Sequence, residues 1–95
     1  MTRRIEQLMR EVDSNKTNYK LERERLKLAE RLGVFAEEMA IRLDECVERG
    51  KGGWDNSKYD PNMHEMLLAN AKVGDYVDVA NLAMFLHNHG YKPGA

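Results

Sequence analysis

The sequence predicts an all-α fold, in which a helical hairpin or bundle carries a long N-terminal helical extension and is completed by oligomerisation. Apolar residues recur at intervals of three and four along most of the chain, which is the spacing of one face of an α-helix. Alternating strand patterns are nearly absent. Glycine and proline cluster between the periodic segments, where they predict helix ends.

Length and composition restrict the class of protein. A chain of 95 residues forms one small domain with a modest core, so we expect a homo-oligomer. The net charge of -1 argues against a nucleic-acid binder that works by bulk charge. No apolar run has the length of a membrane span, and no signal-peptide core follows the first residues. With Cys46 as the single cysteine, these features predict a cytoplasmic protein without a membrane partner.

The N-terminal half is predicted to be helical in two parts. Residues 2–13 carry an apolar stripe, and the polar run Asp13-Ser14-Asn15 predicts a break or a weak cap. Residues 17–49 then have the pattern of one long helix or of two helices joined near Gly33. The charge-dense residues 19–25 predict a solvated face beside a coiled-coil-like seam, with a phosphate-contacting arm as the alternative.

Two further helices are predicted in the C-terminal half. Glycines within residues 50–53 end the long helix. Proline suits a first helical turn, so a new helix is expected at Asp60-Pro61, with Asn62 and Glu65 at the spacing of a capping box. Its buried side is expected to comprise Met63, Met66, Leu67 and Ala71. The last helix covers about residues 75–88 and is apolar on nearly all sides, which predicts a central position.

The start of this last helix carries the most informative polar residues of the chain. Asp75, Asp78 and Asn81 are spaced three residues apart, so they occupy neighbouring positions on one helical surface. Carboxylates that enter an apolar helix are costly to desolvate unless they cap it, form an ion pair or bind metal. Two interpretations are therefore open, namely helix caps with buried hydrogen bonds, or metal ligands.

Two motifs in this order resemble those of phage-encoded MazG-like proteins. The first is Phe35-x-x-x-Met39-x-x-Arg42-Leu43 followed by Lys51-Gly52-Gly53-Trp54, and the second is Asp78-Val79-Ala80-Asn81-Leu82-Ala83-Met84. The resemblance covers roughly residues 34–88.

On this basis the chain divides into an N-terminal extension, a MazG-like helical core and a short C-terminal tail. The proposed segments are residues 1–33, 34–90 and 91–95.

The resemblance implies an all-α nucleoside triphosphate pyrophosphohydrolase that binds Mg²⁺ through carboxylates on two antiparallel helices. Mg²⁺ prefers oxygen ligands, offsets phosphate charge and orients water. Asp75-x-x-Asp78 matches the family's second acidic pair, which makes these residues the expected metal ligands. Asn81 matches the following amide and is an expected substrate-binding residue. The first pair, Glu-x-x-Glu, is incomplete, because Glu65 is followed one turn later by Leu68 and Ala69.

The resemblance also implies roles for three further residues. Glu65 would complete the metal site or act as the catalytic base, Lys51 would contact phosphate, and Trp54 would stack on the nucleobase. From the residues alone, a capping box for Glu65 and a charge at a helix end for Lys51 are favoured, and a ring that plugs one end of the bundle is an alternative for Trp54. The missing oxygens could come from Glu37, Glu38, Asp44 or Glu45. Cys46 and the histidines show no zinc-binding spacing.

Two other functions compete with the enzyme. A non-catalytic phage protein on the same scaffold would bind and inhibit a host defence or metabolic factor through its helical surface. Residues 1–32 would then be the natural surface for a partner or for dimerisation. A plain helical oligomer with a structural role is the third hypothesis.

Overall fold

A computed structural model describes the backbone of residues 2–94 and the side chains of residues 4–10 and 18–94. Within these residues the chain is helical and contains no strand, so the prediction of an all-α fold is confirmed. The elements are α1 (Thr2–Glu48), a 3-10 turn (Ser57–Tyr59), α2 (Asp60–Val73) and α3 (Tyr76–Asn88). None of the described helices is both long and apolar enough to cross a bilayer.

Helix α1 runs without interruption, so the predicted break at Asp13-Ser14-Asn15 is wrong, as is the alternative of two helices joined at Gly33. In a helix interior, aspartate, serine and asparagine each lower helix stability by only about 0.5 kcal/mol relative to alanine. A helix that is already formed on both sides extends through these residues, because adding a turn to an existing helix is easier than starting a new one. Gly33 keeps a negative φ in the helix. The chain nevertheless divides into two compact units between Val34 and Phe35.

The first unit is helical and provides no core of its own. Every described side chain from residues 4–10 and 18–34 is exposed. Lys27 and Glu24 form an ion pair one turn apart, with 3.7 Å between Nζ and Oε1. Such an exposed pair contributes about 0.5 kcal/mol or less. The leucines of this unit therefore have no cover from other described residues of the same unit.

The second unit is organised around the packing of α2 against α3. Its buried core consists of Met63, Leu82 and Leu86, and its partly buried margin consists of Leu67, Phe85 and Tyr91. Met66 and Ala71, which were expected on the buried side of α2, are exposed. Each successive residue is rotated by about 100° around the helix, and only a narrow stripe of α2 faces α3. Met66 and Ala71 lie outside that stripe.

α2 and α3 are connected through Gly74, which has a left-handed backbone conformation. Gly74 has a φ of 81°, a conformation that glycine adopts without the steric cost of a side chain. The N–H of Gly74 donates to the carbonyl of Ala71 at 3.2 Å, and the N–H of Asp75 donates to that of Asn70 at 2.9 Å. These bonds satisfy the last carbonyls of α2 in a Schellman motif. The predicted end of α2 is thereby confirmed, and Asp75 is delivered directly to the start of α3.

The far end of the same hairpin is closed by a contact between a histidine ring and a carboxylate. His89, after the last turn of α3, contacts the buried Asp60, the first residue of α2, with 2.6 Å between Nδ1 and Oδ1. The contact shows that the two helices are antiparallel. The predicted capping box of Asn62 and Glu65 is wrong, because α2 begins at Asp60 and Asn62 already lies within its first turn.

Removal of the Asp60 carboxylate should destabilise the second unit. In Asp60→Ala, the ring of His89 loses its hydrogen-bond partner in a mostly buried setting, and we expect the free energy of unfolding to fall by about 1–3 kcal/mol. Urea denaturation followed by circular dichroism measures this change. The matched control is the exposed Asp55→Ala, expected to change stability by less than about 0.5 kcal/mol. Equal effects of the two substitutions would contradict a structural role for the pair.

Candidate functional site

The acidic pair at the start of α3 has a structural task. Asp75 is the N-cap of α3, and its Oδ1 accepts a hydrogen bond from the backbone N–H of Asp78 at 3.2 Å. The first N–H groups of a helix have no partner within the helix, so a side-chain acceptor at this position stabilises the helix start. The capping interpretation of Asp75 is confirmed, and Asp78 lies in the first turn, where the helix dipole favours a negative charge.

Both carboxylates also converge on one cationic atom. The Nη1 of Arg42, on α1, donates to Asp75 Oδ2 at 3.1 Å and to Asp78 Oδ1 at 2.8 Å. All three side chains are about one-third exposed, so water still reaches the cluster. The sequence motif contains Arg42, but its role was missed, because the residue lies 33 positions before Asp75. The only available signal was the need of two neighbouring carboxylates for a positive charge.

The contacts shift the proton affinities of two members of the cluster. The hydrogen bond from the N–H of Asp78 lowers the pKa of Asp75, and the hydrogen bond and charge of Arg42 lower it further against an opposing effect of partial burial. The hydrogen bond to Asp75 raises the pKa of Arg42, and the charge of Asp78 adds to this effect. Asp75 and Arg42 are therefore both ionised at neutral pH.

Asn81 lies one turn beyond Asp78 and is buried. Its Nδ2 donates to the backbone carbonyl of Met39 at 3.2 Å, which ties α3 to α1. Its Oδ1 is buried and has no hydrogen-bond partner among the described residues. An unpaired buried acceptor costs about 1–3 kcal/mol, and because this oxygen is buried, a ligand bound at the surface does not reach it.

The structure does not bring Glu65 to the acidic pair. Glu65 is exposed on α2, and the described residues contain no group of three or more acidic, histidine or cysteine side chains arranged to hold a metal ion. The acidic residues of α1 that were considered as replacements likewise form no such group with Asp75 and Asp78. The cluster thus consists of Asp75, Asp78, Arg42 and the buried amide of Asn81, and Glu45 borders it with its Oε2 3.9 Å from Nε of Arg42.

The loop after α1 places Trp54 against α3. Its ring stacks on Phe85 with the centroids 5.5 Å apart and 28° between the planes, while the residue stays 52% exposed. The preceding Gly53 has a φ of 86°, and a Cβ on it would lie 3.3 Å from the ring of Tyr59. The positive φ favours glycine at this position, and the close approach of Tyr59 leaves little room for a side chain. Trp54 therefore presents one face to the protein and leaves the other accessible.

Lys51 and Trp54 lie in the same loop but have different surroundings. Lys51 is exposed, and its backbone N–H donates to the carbonyl of Cys46 at 3.0 Å in the turn that ends α1. Phe85, on which Trp54 stacks, is seven residues after Asp78, which is two turns or roughly 10 Å along one side of α3. The ring of Trp54 and the acidic cluster thus contact the same side of α3, two turns apart.

Comparisons of this chain with protein-family models, curated proteins and solved structures found no match. The MazG-like resemblance stays a prediction.

The lowered pKa of Asp75 should appear in the pH dependence of stability. A carboxylate with a folded-state pKa below its ordinary value of 3.8 stabilises the protein above that pH. This contribution is lost as the pH falls through the lowered pKa. We expect the difference in unfolding free energy between the wild type and Asp75→Ala to be constant near neutrality and to shrink below about pH 4.

Urea denaturation at a series of pH values measures this difference. Asp44→Ala, an exposed substitution on α1, is the matched control and should not reproduce the pH-dependent step. A difference that stays unchanged down to strongly acidic pH would show that Asp75 acts without its charge.

Proposed function

We propose that this chain is a MazG-like nucleotide-binding protein that hydrolyses ribo- or deoxyribonucleoside triphosphates with Mg²⁺, giving the monophosphate and pyrophosphate. The observation that carries this proposal is the convergence of Asp75 and Asp78 on a single cationic atom, Arg42 Nη1. Two carboxylates that together hold one positive charge form a donor set suited to a hard cation. The sequence motif around Asp78 and Asn81 points to the same chemistry.

The residues present fit Mg²⁺ in the way that nucleotide enzymes commonly bind it. Such sites use one or two carboxylates together with substrate phosphates and water, rather than a complete cage of protein ligands. Asp75 and Asp78 would hold the ion, which would neutralise phosphate charge and orient water. Arg42 would then be available to bind a phosphate group, for which the planar guanidinium is well suited.

The rest of the nucleotide can be assigned to the same side of α3. The accessible face of Trp54 suits stacking of a nucleobase, because one face already rests on Phe85 and the ring is therefore ordered. Lys51, three residues before it, adds an exposed positive charge for the phosphates. Asn81 is buried one turn beyond Asp78, so a contact with the substrate would require its side chain to become accessible. Glu65 is exposed on α2 and forms no metal-holding group with these residues.

Pyrophosphate release from a panel of ribo- and deoxynucleoside triphosphates tests the hydrolase activity. We expect Mg²⁺-dependent release that falls about a hundredfold or more in Asp78→Ala. Asp44→Ala should retain activity, because Asp44 is exposed on α1. Circular dichroism of each variant separates loss of chemistry from loss of fold. Absence of release from a folded wild-type chain, or full activity in Asp78→Ala, would contradict hydrolysis at this site.

Fluorescence of Trp54, the only tryptophan of the sequence, tests nucleotide binding independently of turnover. A base that stacks on its accessible face should change the emission in a saturable, Mg²⁺-dependent manner. Arg42→Ala should weaken this binding by about tenfold or more, because it removes a charge proposed to bind phosphate. Saturable binding without pyrophosphate release would identify a nucleotide-binding protein that has lost hydrolysis.

A non-catalytic phage accessory protein that binds and inhibits a host factor is the second candidate. It is favoured by the state of the acidic pair, in which Asp75 caps α3 and both carboxylates contact Arg42. Exposed apolar side chains on the second unit, including Met66, Leu68 and Val73, provide contact area for a protein. A folded chain that neither binds nor hydrolyses nucleotides would favour this function over the first.

A further inference from the structure

The segment of α1 from residues 18 to 34 carries an uncovered apolar row. Leu21, Leu28 and Leu32 are 49%, 62% and 69% exposed, and every other described side chain of the segment is exposed too. In a heptad pattern, Leu21 and Leu28 occupy successive d positions, and Arg25 and Leu32 occupy the a positions that follow them. A helix with such a seam buries it against another helix, and the first unit contains none.

We propose that this segment pairs with the same segment of a second copy of the chain in an antiparallel coiled coil. In the antiparallel arrangement, the a positions of one helix face the d positions of the other. Leu21 would then face Leu32 of the second copy, and Arg25 would face Leu28 of the second copy. A two-fold axis repeats each contact, as expected for an isologous dimer. This inference does not depend on the proposed nucleotide chemistry.

Charge complementarity selects the second copy and the direction of the helices. Glu24 and Arg31 both occupy the g position, which flanks the apolar seam. In the antiparallel register Glu24 lies opposite Arg31 of the second copy, and the symmetry produces two such ion pairs. In a parallel register the same charges would face Ala29 and Ala36, so no ion pair would form. The intrahelical contact of Glu24 with Lys27 is exposed and weak and does not prevent this pairing.

The single charge in the seam is compatible with this arrangement. The aliphatic stem of Arg25 can cover Leu28 of the second copy while its guanidinium reaches solvent. A charged residue at an a position reduces stability but restricts the register, because every shifted pairing would place the charge against a different layer.

Charge reversal in the full-length chain tests the pairing. Sedimentation equilibrium should show a dimer for the wild type, and Glu24→Arg or Arg31→Glu should each raise the dimer dissociation constant about tenfold or more, since each creates two like-charge contacts. The double variant Glu24→Arg/Arg31→Glu should restore dimerisation. Glu30→Arg, at the outward f position, is the matched control and should leave the constant unchanged. A wild type that stays monomeric at millimolar concentration, or failure of the double variant to restore, would overturn the proposal.

Disulfide cross-linking in a Cys46→Ser background tests the direction of the helices. Leu21→Cys and Leu32→Cys should link only when the two variants are mixed, because each position faces the other across the antiparallel seam. Linkage of Leu21→Cys to itself would indicate a parallel pair and overturn the assignment. Trp54 emission, reported from the second unit, verifies that each variant remains folded there.

Discussion

The arrangement at the start of α3 depends on the convergence of two carboxylates on Arg42. Without a cation, Asp75 and Asp78 would place like charges at the entry of an apolar helix. Arg42 offsets part of this repulsion with contacts of 3.1 and 2.8 Å, and Asp75 caps the helix by accepting a hydrogen bond from the N–H of Asp78. The same contacts join the second half of α1 to α3, and the bond from Asn81 to the carbonyl of Met39 supports this junction one turn further on.

The hairpin of α2 and α3 compensates for its small core by closing both ends. Only Met63, Leu82 and Leu86 are buried apolar residues among those described, which is little for a domain that folds alone. The Gly74 turn joins the helices at one end, and the contact between Asp60 and His89 joins them at the other. Polar contacts at defined positions therefore set the pairing of helices whose apolar contacts alone would specify it weakly.

One group of residues serves both the fold and the proposed chemistry. The cap and the ion pair organise carboxylate oxygens around a point of positive charge, and a metal site requires the same organisation of ligands. The exposed face of Trp54 and the unpaired oxygen of Asn81 lie along the same helix and have no partner in the described part of the chain that would explain them. Packing within the described residues accounts for neither of these two features.

The sequence by itself determined the elements whose causes are local. Helical periodicity identified the all-α class, and the glycines after α1 and α2 marked their ends, because a positive φ is a property of a single residue. Local reasoning was wrong at Asn62 and Glu65 and at Asp13-Ser14-Asn15, where the context of the helix outweighs small propensities. Only the tertiary structure decided the partners of Asp60 and Asp75. Those partners lie 29 and 33 residues away, and no spacing within one helix encodes a contact between helices.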